Sequence, residues 1–119
     1  MATYTKTTLS GSTDGKAILV AATATAGTLI HTGSNTPSTL HEMWIYAVNT
    51  STSDVKLTIE WGEATAPNGN IEYTVKAENG LYLIVPGLIL KGNATPLTVK
   101  AFAATTNVIA IHGYVNVIA

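Results

Sequence analysis

The side chains in this sequence best suited to metal binding or proton transfer are its three histidines, His31, His41 and His112. A histidine-based metal site on a β-fold needs a tight pair of histidines on one strand, plus a carboxylate and a further histidine. No two histidines lie within two residues of one another here, and each falls on a separate predicted strand. His41 is followed by Glu42, but successive strand residues face opposite sides. The spacing therefore speaks against a metal centre, and the cofactor expectation is none. Each imidazole is expected at a strand edge or a subunit contact.

Paired carboxylates across a cleft would suit glycoside hydrolysis. Glu60 and Glu63 flank Trp61, and Glu72 lies on a neighbouring predicted strand. Glu60 and Glu72 fall on the polar phase of their strands, where solvated charges are expected. No G-x-S-x-G surrounds any serine, so a nucleophile elbow is excluded. No glycine-rich loop leads into a helix, so no phosphate cradle is expected. Asn49-Thr50-Ser51 and Asn93-Ala94-Thr95 match the glycosylation triplet but read as turns. Nothing in this inventory assembles a catalytic apparatus, and the expectation is a protein without enzymatic activity.

The aromatic residues suggest binding instead. Trp44 and Tyr46 share one face of an apolar strand, where a core and an interface reading stand equally, and His112 and Tyr114 lie on the closing apolar strand. Aromatics are enriched at protein contacts, so these four are the candidate interface residues. Trp61 ends an amphipathic strand on its apolar phase and is expected to pack in the core. With Glu63, Asn68 and Asn70 it also forms a candidate surface-loop contact for a carbohydrate or receptor.

Composition bounds these possibilities. A chain of 119 residues fits one domain. Only 11% of it is charged, against about 25% in ordinary soluble domains. So few charges leave little to keep a monomer's surface separate, which suggests that another subunit covers part of it. Net charge is −1 and arginine is absent, which argues against nucleic-acid binding. There is no cysteine, excluding disulfides and thiolate chemistry. No apolar run is long enough for a membrane helix. The polar start, Met1 to Thr13, lacks the pattern of a secretory signal, so synthesis and assembly in a cytoplasm are expected.

The elements that must carry these residues are strands. Threonine is the dominant polar residue, with twenty copies, and β-branched side chains favour strands. Alternation is complete in Val55–Trp61, with Val55, Leu57, Ile59 and Trp61 on one face and Lys56, Thr58 and Glu60 on the other. It recurs in 71–77 and 97–101. Residues 43–48 and 108–119 are apolar on both faces, as in strands covered twice or lying at a subunit contact. Further strands are expected at 16–22, 28–32, 81–85 and 88–91. Asn79-Gly80 predicts a two-residue hairpin turn. Pro86-Gly87 predicts a type II turn at which residues 81–91 bend or change sheet. About eight short strands imply a β-sandwich, all-β and antiparallel, jelly-roll-like, with an immunoglobulin-like sandwich as the alternative. Residues 1–14 are expected to be a flexible N-terminal arm, and 15–119 the sandwich domain.

The segment Leu81-Tyr82-Leu83-Ile84-Val85-Pro86-Gly87-Leu88-Ile89-Leu90-Lys91-Gly92-Asn93, followed by Leu97-Thr98-Val99-Lys100-Ala101, resembles small virion proteins of tailed bacteriophages. The ending Ile109-Ala110-Ile111-His112-Gly113-Tyr114-Val115 is similar to their closing strand. With its threonine-rich start, the chain looks like a capsid decoration (cement) protein or a related head or tail accessory protein. That resemblance implies a β-sandwich protomer, often trimeric, that sits on the assembled capsid and reinforces it. The implied partners are the major capsid protein or other virion proteins, with no nucleic acid and no membrane, and the implied location is the capsid surface. The family offers no catalytic residues.

Overall fold

Two long strands, each apolar on both phases, form the middle of the molecule. They are β4 (Leu40–Asn49) and β9 (Ile109–Ile118), paired antiparallel along their whole length in the computed structural model, which describes residues 3–119. The other strands are β1 (Tyr4–Thr8), β2 (Ile18–Leu19), β3 (Thr28–Thr32), β5 (Val55–Trp61), β6 (Asn70–Val75), β7 (Tyr82–Lys91) and β8 (Thr98–Ala103). No helix occurs among the described residues.

The strands divide into two antiparallel sheets. Sheet A runs β1-β9-β4-β7, with β2 also paired to β9, and sheet B runs β3-β8-β5-β6. The pairings are nested. β5 pairs with β6, β4 with β7, β3 with β8 and β2 with β9. A long hairpin folded over on itself in this way is a jelly roll, two Greek keys in two packed sheets. An immunoglobulin sandwich sets its sheets by a different strand order, so the connectivity excludes that alternative.

Strict alternation on the inner faces builds the core. Met43, Ile45 and Ala47 of β4 and Ile109, Ile111 and Val115 of β9 face Leu57, Ile59, Val99, Ala101 and Ala103 from sheet B, all buried. Leu9, Val20 and Ile30 are buried with them. Tyr73 of β6 and Tyr82 of β7 stack with centroids 4.8 Å apart where the two sheets' edges meet.

Three expectations are corrected. The polar start is not a free arm from Tyr4 onward. Tyr4–Thr8 pair with Tyr114–Ile118 as an edge strand, and Leu9 plugs the core. Its threonines give no alternation because both faces of β1 are exposed. Residues 1–2 lie outside the described residues. Asn79-Gly80 is not a hairpin turn, since β6 and β7 belong to different sheets and residues 76–81 cross between them. Pro86-Gly87 neither turns the chain nor moves it between sheets. β7 stays paired with β4 throughout, and its register shifts at Gly87 and again near Ile84. Gly87 takes a positive φ of 78° there, a bulge conformation that glycine adopts without strain.

Candidate functional site

A sandwich in water ordinarily turns polar side chains outward on both sheets. Sheet B largely does so. Its outer phase carries Lys56, Glu72, Thr74 and Lys100, with Lys56 and Glu72 ion-paired at 2.9 Å, around a buried Thr58, a half-buried Phe102 and an exposed Leu29. Sheet A does not. The register places Trp44, Tyr46 and Val48 of β4 beside Ala110, His112 and Tyr114 of β9 on its outer phase, with Leu83, Pro86 and Ile89 of β7 on the other side. Tyr4 is 73% exposed, Leu19 51% and Ile89 42%. The result is a broad aromatic and aliphatic face, open to solvent, with Lys6, Glu42 and Lys91 as its charges.

The structure thus brings together the four residues singled out in the sequence. Trp44 lies opposite Tyr114, and Tyr46 opposite His112. The Trp44 and Tyr114 rings stack at 6.2 Å with planes 11° apart. Trp44 is seated over Gly87, where an added Cβ would come within 2.9 Å of the indole. The indole Nε1–H donates to Glu42 Oε1 at 3.0 Å, and the Asn116 amide donates to the same oxygen at 2.8 Å. These two bonds hold the Glu42 carboxyl below its usual range. Lys6 Nζ sits 4.9 Å from the centre of the Tyr114 ring, a cation–π contact. Tyr4, Thr5, Lys6, Glu42, Asn116 and Ile118 line an open depression of about 310 Å³ at one end of the face.

Comparison with protein-family models, with curated proteins and with solved structures finds no match.

The second sequence-predicted group lies elsewhere. Trp61 is half-buried against the core, and Glu63, Asn68 and Asn70 lie on or beside the β5–β6 connection of sheet B. That connection is closed by its own backbone. Trp61 N–H donates to the Gly69 carbonyl at 2.7 Å, and Gly69 N–H to Thr65 at 2.9 Å. It offers loop side chains but no exposed aromatic platform. Glu60, expected in solvent, is only 2% exposed. The β2–β3 loop folds over it, so that its carboxylate accepts from Thr25 Oγ1 and, at 2.7 Å, from the Gly27 amide. Two donors from one loop make it a fastener for that loop.

Sequence spacing missed one constellation. His31 and His41, from opposite sheets, meet in the interior with His31 Nε2 2.8 Å from His41 Nδ1. The cause is a β-bulge. Leu29 pairs with Lys100 and His31 with Val99, leaving Ile30 as the extra residue and bringing His31 into the inner phase. His31 Nδ1 accepts from the Ser10 amide at 3.0 Å. Burial, and secondarily the neighbouring His41, push His31 down to about 4, and burial lowers His41 as well. Among the described residues no three of His, Cys, Asp and Glu converge on a point suited to a metal ion.

Proposed function

We propose that this chain is a structural protein of a tailed-bacteriophage virion. In that role it is a capsid decoration protein, binding the assembled head through the outer face of sheet A and performing no catalysis. The observation that carries the proposal is the asymmetry of the two outer faces. The outer face of sheet B is mostly polar, while that of sheet A gathers the partly exposed Trp44, Tyr46, Tyr114 and Leu83 with the exposed Ile89. Contiguous apolar surface of this kind marks a docking site. The low charge content supports the same reading, as does the likeness of the C-terminal segments to small phage virion proteins. Many copies on a lattice bind firmly even when each contact is weak. A homotrimer on the capsid surface, contacting the major capsid protein or another virion protein, fits this arrangement.

The test is co-sedimentation with phage heads lacking the protein, using wild type and a Tyr46→Glu/Ile89→Glu double variant. Wild type is expected to pellet with heads and the variant to remain in the supernatant with an unchanged circular dichroism spectrum. Equal pelleting of the folded variant, or no pelleting of wild type, rejects the proposal. A second reading, a carbohydrate- or receptor-binding module of a tail or fibre, draws on the stacked Trp44–Tyr114 pair beside Glu42 and Asn116. A glycan-array signal lost in Trp44→Ala would favour it.

A further inference from the structure

Between β1 and β2 the chain passes close against β3, and three hydrogen bonds fix it there. Ser10 N–H donates to His31 Nδ1 at 3.0 Å, Thr32 N–H donates to Ser10 Oγ at 2.7 Å, and Gly11 N–H donates to the carbonyl of the bulged Ile30 at 2.9 Å. The approach is tight enough that a Cβ on Gly11 would lie 2.5 Å from the Leu29 carbonyl oxygen. His31 then reaches across the sandwich to His41 at 2.8 Å. One chain of hydrogen bonds therefore ties the end of β1, sheet B and sheet A together.

The first donor in that chain sets every proton after it. A backbone amide can only donate, so His31 Nδ1 is bare and the neutral ring carries its proton on Nε2. That proton is donated to His41 Nδ1, leaving the His41 proton on Nε2. Adding a proton to either ring breaks the arrangement. On His31 it goes to Nδ1, against the Ser10 N–H. On His41 it goes to Nδ1, against the His31 Nε2–H. Moving the His31 proton to Nδ1 to relieve the second clash creates the first. A protonated ring thus leaves two N–H groups facing one another in the interior, a buried conflict with no partner.

The surroundings offer the imidazolium no compensation. Across the register His31 faces Val99, and His41 faces Leu90 and Val117. The charged residues beside the two histidines on their own and paired strands turn away. Glu42 and Lys91 lie on the outer phase of sheet A, opposite Asn116 and Leu40, and Lys100 lies on the outer phase of sheet B, opposite Glu60. Lys6 is over the Tyr114 ring on the outer face. Among the described residues, the other titratable group facing each of the two rings is the other ring.

We propose that Ser10, His31 and His41 form an acid-operated latch, and that protonation releases the β1 segment from the sandwich while both sheets stay folded. The geometry makes β1 the part that leaves. It is an edge strand exposed on both faces, held by backbone pairing to β9 and by the buried Leu9 behind it. Segments with few buried contacts open at low cost, before the core does. Release removes Tyr4 and Lys6 from the depression on the outer face of sheet A and bares the edge of β9 along Tyr114–Ile118. An exposed strand edge is a template for strand addition. The latch is independent of what the outer face binds.

The test is amide hydrogen exchange on the whole protein at pH 7.5 and at pH 4, corrected for intrinsic rates, together with NMR of the imidazole nitrogens. At neutral pH His31 is expected as the Nε2–H tautomer. On acidification the amides of Tyr4–Thr8, Ser10, Gly11 and Thr32 are expected to lose protection at least tenfold, while those of β5 and β8 keep theirs. A His31→Gln/His41→Gln variant is expected to protect β1 equally at both pH values; should it fail to fold, the wild-type measurements decide. An Nδ1–H tautomer of His31, β1 protection independent of pH, or loss of all protection in one step overturns the proposal.

Discussion

Trp44 and Tyr114 lie directly opposite each other on the two central strands of sheet A, their rings 6.2 Å apart and 11° from parallel. Stacked cross-strand aromatics contribute about 0.5–1.5 kcal/mol beyond the area they bury. Both rings nonetheless remain partly open to solvent, which is more aromatic surface than folding alone requires. Tyr114→Ser is therefore expected to lower stability by only about 1–2 kcal/mol, read from urea unfolding. Its loss of head binding in sedimentation should be far larger than that change in stability.

Glu60 tests the opposite relation, a charged group that serves the fold. Glu60→Ala leaves the Thr25 hydroxyl and the Gly27 amide without their acceptor. Each orphaned donor costs about 1–3 kcal/mol when it stays buried. The expected result is a loss of roughly 2–3 kcal/mol in denaturant unfolding, increased proteolysis within residues 21–27, and head binding unchanged.

Gly11 is positioned by contact. Alanine there would press its Cβ to 2.5 Å from the Leu29 oxygen and 2.8 Å from that of Ile30. Backbone atoms cannot yield that much, so the segment must lift. Gly11→Ala is expected to raise hydrogen exchange in Tyr4–Thr8 at neutral pH and to cost more than about 1 kcal/mol overall. Unchanged exchange in β1 would show that the contact relaxes without loosening the strand.

Acid should destabilise the fold through the buried histidines. Burial sets His31 at about 4 and lowers His41, below the unfolded value of about 6.5. Between those limits the unfolded chain binds more protons than the folded one, so stability is full above pH ~6.5 and declines as pH falls toward ~4. Urea titrations at pH 7.5, 5.5 and 4 should show this decline, and the His31→Gln/His41→Gln variant should flatten it.

The architecture was legible because burial in strands has period two. Val55–Trp61 alternates and is β5, while residues 43–48 and 108–119 fall in β4 and β9. The same phase logic put Trp44 and Tyr46 on one face, and the β4–β9 register sets Tyr114 and His112 beside them. What escaped were departures from the period. The bulge at Ile30 reverses the phase of His31, so residues ten apart in the chain meet across the sandwich. Glu60 keeps its outward phase but is covered by a loop, which no strand pattern encodes. β1 carries threonine on both faces and lacks the alternation that would have marked it.

The nested pairing also has a kinetic side. Only β5 and β6 meet through a short connection. β4 must find β7, β3 must find β8, and β2 must find β9 across nearly the whole chain. Loop closure grows dearer outward, and topologies rich in such distant contacts fold in about milliseconds to seconds. Assembly is therefore expected to start at the β5–β6 hairpin and proceed outward, with the ends of the chain arriving last. Until they arrive, the long apolar strand β4 has no β9 beside it, and crowding by other nascent copies is most hazardous in that interval.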